Sequence, residues 1–169
     1  MAYSAIAVAN AFIERAKKYG ISDLSPMKLQ KLVYFAHAWQ LALTGKPLID
    51  EPVCAWRYGP VVQSVYNTFR GYGSGHIPTP AVAYEHSQGV PFPIIPTVND
   101  KEVSQLIDAV MNTYGNQSAI FLSNLTHQQG SAWDSTKEQH RHGQVNSWII
   151  PNEVIRDTTR AQLGMNVGN

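Results

Sequence analysis

The chain has 169 residues, 44% of them apolar, which is enough for one domain with its own core. Charged residues make up only 15% and the formal net charge is +1, so the basic stripe of a nucleic-acid binder is missing. One cysteine, Cys54, excludes an internal disulfide and a cysteine-based zinc finger. The N-terminus lacks a basic signal-peptide start, and no run approaches the ~18 apolar residues of a membrane span. A cytoplasmic protein with no membrane contact is expected.

In chain order, Ser4 caps a first helix to about Tyr19, with Ile6, Phe12 and Ile13 inward and Glu14–Lys18 as an outer pair. Ser25-Pro26 opens a second helix to about Leu43, the hydroxyl at N-cap and proline at N1. Its apolar residues cover most of the cylinder, with Leu29, Leu32, Val33, Trp39 and Leu43 in one stripe and Phe35 beside it. That marks the central helix of the fold.

Short strands follow at Leu48-Ile49 and Val53–Trp56. Gly59-Pro60 is expected to close the strand and open a third helix to about Phe69. Residues 71–96, rich in glycine and then proline, read as a long loop with short strands near Val82–Tyr84 and Ile94-Ile95. Asn99 or Asp100 caps a fourth helix to Tyr114, and Ser118 a fifth to Thr126. Residues 130–143 look polar and irregular. A last helix covers about 151–163, and 164–169 should fray. The expected class is mainly α (α+β): a helical domain around a buried helix, with a small antiparallel β element.

Chemistry-bearing patterns are sparse. There is no nucleophile elbow, P-loop, dinucleotide fingerprint or zinc-protease motif. His140 and His142 would share a face on a strand, but no acid or thiol set completes a metal site, so no metal or cofactor is expected. His127 would bond free carbonyls at a helix end. The stretch Trp56-Arg57-Tyr58-Gly59-Pro60 stands out. Its two rings would pack against the core helix, and its guanidinium would be free to recognise something.

Three segments carry a family resemblance. Lys28-Leu29-Gln30-Lys31-Leu32-Val33-Tyr34-Phe35-Ala36-His37-Ala38-Trp39 is the first. Ala55-Trp56-Arg57-Tyr58-Gly59-Pro60-Val61-Val62, with Tyr66, is the second. Leu122-Ser123-Asn124-Leu125-Thr126-His127 with Ala132-Trp133 is the third. Together they resemble the Panacea domain, also called SocA-like or phage-associated GepA-like, in family order over residues 27–133. Gln128-Gln129 stand where the family carries an acidic residue.

The resemblance implies a single, mostly helical domain over 1–169 and an antitoxin role, since Panacea domains neutralise toxins encoded beside them by direct contact. Some members act as adaptors that deliver a toxin to a protease. Others carry a DNA-binding segment, for which this chain has little room. The expected partner is a cognate protein toxin, met by Arg57, Tyr58, Arg70, Tyr72 and His76. Leu29, Gln30, Lys31, Leu32, Tyr34, Phe35 and Trp39 are expected to be structural. So are Trp56, Gly59, Pro60, Thr126, His127 and Trp133. The competing class is an enzyme whose site gathers Arg57, His127 and His140 or His142 around an aromatic cleft.

Overall fold

In the computed structural model, which describes residues 2–144 and 147–165, helix α2 (Pro26–Thr44) is the common packing partner. Helices α1 (Ala5–Lys18), α4 (Lys101–Tyr114), α5 (Ala119–Thr126) and α7 (Asn152–Gln162) all pack on it, as does α3 (Gln63–Phe69). Local sequence explains its limits. Ser25 Oγ accepts the Lys28 N–H at 3.3 Å, Pro26 occupies the first turn, and Gly45 ends the helix at φ 74°. Leu29, Leu32, Val33 and Ala36 are fully buried in a core shared with Phe12, Ile107 and Ile155. The fold class is therefore mainly α (α+β), as expected.

The caps Ser4, Asp100 and Ser118 also form, each side chain accepting an N–H from the first turn of its helix. A further helix, α6 (Ala132–Arg141), occupies the segment expected to be irregular; Ser131 caps it by accepting the Asp134 N–H. Its polar composition hid it. His140 therefore lies on a helix, with His142 just past its end, and neither is on a strand.

Strand β1 (Val53–Trp56) is central in a three-stranded antiparallel sheet, between β2 (Gly59–Val61) and β5 (Ile149–Ile150). The register pairs Trp56 with Gly59 and Cys54 with Val61. The chain thus reverses at Arg57-Tyr58 and runs back through Gly59-Pro60 as a strand; the third helix starts only at Gln63. Proline suits an edge strand as well as a first helical turn, because either position leaves its nitrogen without a donor to supply. A short 3-10 helix, Arg70–Tyr72, ends α3. The strands expected in the long loop form a separate, exposed hairpin, β3 (Ala83–Ser87) with β4 (Val90–Ile94).

Three smaller expectations fail. Leu48-Ile49 is buried but makes only an isolated bridge to Tyr3. Leu43 is exposed, on the rim of the helical stripe. Glu14 and Lys18 do not pair; the α1–α4 link is instead Arg15, whose Nε lies 2.6 Å from Asp108. No helix among the described residues is long and apolar enough to cross a membrane.

One buried polar side chain ties three segments together. His37 Nδ1 accepts the N–H groups of Leu48 (3.3 Å) and Ile49 (3.4 Å), so Nε2 carries the proton and donates to Asn152 Oδ1 at 3.0 Å. Burial pushes its pKa below the ordinary value, against the raising effect of Asn152. His37→Ala opens a cavity and orphans two backbone donors, and should cost about 3 kcal/mol in urea unfolding. A loss under about 1 kcal/mol would show that these contacts contribute little.

Candidate partner-binding cleft

The aromatic-basic corner has its backbone held by side chains from elsewhere. Trp133 Nε1 donates to the Trp56 carbonyl at 2.6 Å, and Ser123 Oγ to that of Tyr58 at 3.0 Å. Lys31 Nζ donates to Pro60 O at 3.2 Å. Gln30 makes a two-way clasp on Val62, giving Nε2–H to its carbonyl at 3.0 Å and accepting its N–H at 3.1 Å. Every second carbonyl from 56 to 62 is thus satisfied by a side chain of α2, α5 or α6. Buried carbonyls need partners, and this corner finds them outside the sheet.

A polar cluster backs the turn. Neither Arg57 nor Tyr58 has positive φ; Gly59, at φ 118°, takes the distortion. A Cβ there would lie 2.6 Å from Lys31 Nζ, 2.9 Å from Thr126 Oγ1 and 3.1 Å from His127 Nε2. Thr126 Oγ1 donates to Ser123 O at 2.6 Å, and its own carbonyl accepts from Ser131 Oγ at 2.9 Å. His127 stacks on Trp133, centroids 4.2 Å apart, with Nε2 buried and no hydrogen-bond partner among the described residues. Its pKa is pushed down by burial and then by the Lys31 charge. The expected capping of helix carbonyls by this ring is therefore not what the structure shows.

Lys31 is buried and faces no carboxylate among the described residues. Desolvation lowers its pKa from 10.5 to about 8. That shift is worth about 3 kcal/mol of destabilisation wherever the ammonium is charged in both folded and unfolded chains.

In front of the corner lies a cleft of about 680 Å³. The start of α2, the β1–β2 turn, the end of α3 and the α6–β5 side form its walls. Arg57, Tyr58 and Arg70, three of the expected contact residues, line it. Tyr58 is 61% exposed, so it does not pack on the core helix as expected; the half-buried Trp56 meets Tyr66 edge-on at 5.1 Å. Tyr72 and His76 do not line the cleft. Tyr72 lies near Phe69, and His76 Nδ1 accepts the Leu24 N–H at 3.1 Å.

Among the residues expected to be structural, Leu29 and Leu32 fill the core, Tyr34 is buried, and Phe35 stacks on Tyr114 at 4.3 Å. Trp39 meets the same tyrosine at 5.8 Å. Of the imagined catalytic set, only Arg57 lines the cleft; His140 stacks on Trp148 at 3.5 Å, and His142 lies 3.4 Å from Glu138. No group of three His, Cys, Asp or Glu among the described residues could hold a metal ion. Two cleft residues escaped the sequence reading, Lys137 and Trp148. The i,i+4 spacing of Trp133 and Lys137 was the available signal for the first; Lys137 Nζ lies 5.3 Å from the Trp133 ring centre.

A helical fold whose three sequence signatures meet around one corner defines a class. Residues 29–134 match the family described as antitoxin SocA-like, Panacea domain, and the chain belongs to that family. It is 35% identical to Antitoxin SocA of Caulobacter vibrioides (strain NA1000 / CB15N) over 128 residues, covering 76% of this chain and 67% of that protein. No solved structure matches it significantly.

Gly59→Ala places a Cβ against Lys31 and Thr126 at a φ that L-residues avoid, and should destabilise the chain by about 2 kcal/mol or more in chemical denaturation. Between pH 8 and pH 10.5 folded Lys31 is neutral while the unfolded chain still holds the proton, so its contribution makes stability rise with pH. Lys31→Met should remove that rise, leaving the variant's advantage largest below pH 8. Identical pH slopes for the two proteins would show that Lys31 is not desolvated.

Proposed function

We propose that this chain is an antitoxin that neutralises a protein toxin by direct stoichiometric binding, and that the toxin contacts the Arg57-Tyr58 tip and the cleft beside it. The observation that carries this reading is the state of the tip. Arg57 and Tyr58 are exposed, yet they sit on a two-residue turn where Ser123 holds the Tyr58 carbonyl and Trp133 and Lys31 hold those of Trp56 and Pro60 beside it. A fixed tip loses little conformational freedom on docking. Tyr and Arg are the side chains that most often dominate binding energy when desolvated at an interface. Arg70 extends the same surface along the cleft. The toxin is then blocked by occlusion or distortion of its working surface. Family membership supports the class of partner, since the family's antitoxins are named for that action.

The test uses the toxin that this chain neutralises in co-expression. Arg57→Glu, with circular dichroism unchanged, should weaken toxin binding by about 2 kcal/mol or more in a direct titration. An unaltered Kd would remove the tip from the interface.

A further inference from the structure

The cleft gathers cations without anions. Lys31, Arg57, Arg70 and Lys137 all line it, and no Asp or Glu does. Elsewhere among the described residues four basic side chains pair with acids, Arg15 with Asp108, Lys28 with Asp23, Arg141 with Glu138, and Arg156 with Asp157; none of the four cleft cations has such a pairing. Two of the cleft cations lie against rings. Lys137 Nζ lies 5.1 Å from the Trp148 ring centre as well as near Trp133, and Arg57 Cζ lies 5.5 Å from that of Tyr58. A π face orients a cation but leaves its charge uncompensated. The four cations thus share one concave surface with no carboxylate in its lining, and their fields add on an incoming anion.

The walls restrict that anion further. Trp56, Tyr58, Tyr66 and Trp148 make much of the lining, and about 680 Å³ lies within the range of small-molecule sites. An extended acidic peptide would look for main-chain groups to pair with. Here the carbonyls of Trp56, Tyr58, Pro60 and Val62 are already occupied. What remains on offer is side-chain cations and aromatic rings, which suits a compact anion carried on a planar apolar body.

We propose that this cleft is a binding site for a nucleoside phosphate, with the phosphates against Arg57, Arg70 and Lys137 and the base against the aromatic wall. Lys31, committed to the Pro60 carbonyl, contributes charge from below. The proposal concerns a ligand of the chain itself and does not depend on which toxin it meets.

Titration of the intact protein with ADP, read by calorimetry and tryptophan fluorescence, tests it. Saturable one-to-one binding is expected, weakening about tenfold as salt rises from about 50 mM to about 300 mM. Adenosine and pyrophosphate, each carrying half of the recognised chemistry, should bind at least about tenfold more weakly than ADP. Arg70→Glu and Lys137→Glu should each weaken ADP by about tenfold or more with circular dichroism unchanged. Arg57→Glu, on an exposed turn, serves the same purpose where either variant folds poorly. No binding at about 5 mM ADP, pyrophosphate binding as tightly as ADP, or folded charge-reversal variants with unchanged Kd would each overturn the proposal. So would tighter binding of a tryptophan-tagged oligoglutamate peptide.

Discussion

The structure depends on one constraint, that the backbone of residues 56–62 must find hydrogen-bond partners away from its own sheet. β2 is an edge strand of three residues, and β1 meets β5 over only two pairs. Such a small sheet cannot satisfy its own margins. Trp133, Ser123, Lys31 and Gln30 do so from three different helices. An unmet buried carbonyl costs about 1–3 kcal/mol, so these four contacts together decide whether the corner adopts one geometry. They also dictate how α5 and α6 sit relative to α2, because each helix must present its donor to a different carbonyl of the same short segment.

This constraint gives the family signatures a physical meaning. Gln30 and Lys31 are polar residues of α2, and both are buried. They are there to bond the corner. Gly59 leaves room for Lys31, Thr126 and His127 to close behind the turn. Lys31 works against stability, because its charge is desolvated with no counter-ion among the described residues. A chain that keeps a destabilising cation under the Arg57-Tyr58 turn has a use for the charge or for the bond it makes. On this account, the bond to Pro60 fixes the turn and the charge adds to the field of Arg57, Arg70 and Lys137. Exposed Arg57 and Tyr58 then project from a turn whose carbonyls are bonded from behind.

Much of the helical frame was legible because its signals are local. Ser25-Pro26 and Gly45 delimit α2 by their own backbone preferences, and Ser4, Asp100 and Ser118 act as caps within one turn. The site was legible only in part. Arg57, Tyr58 and Arg70 stood out by residue type and do line the cleft, whereas Tyr72 and His76 were inferred from a glycine-rich loop and lie outside it. His76 is instead tied to Leu24. The course of Gly59-Pro60 was ambiguous because proline fits both an edge strand and a helix start. Helix α6 was missed because its polar sequence has no apolar period, although Ser131 and Asp134 carried a capping pattern. Lys137 and Trp148 could not be placed together from sequence, since their meeting requires α6 and β5 to close over β1.

The Arg57-Tyr58 turn is pre-formed, clamped from behind by side chains of three helices. Backbone amide order parameters measured by nuclear magnetic resonance relaxation on the free protein test this most directly. Values near 0.85 for Arg57 and Tyr58, equal to those of α2, are expected. Values below about 0.6 at the turn, with α2 rigid, would contradict the account.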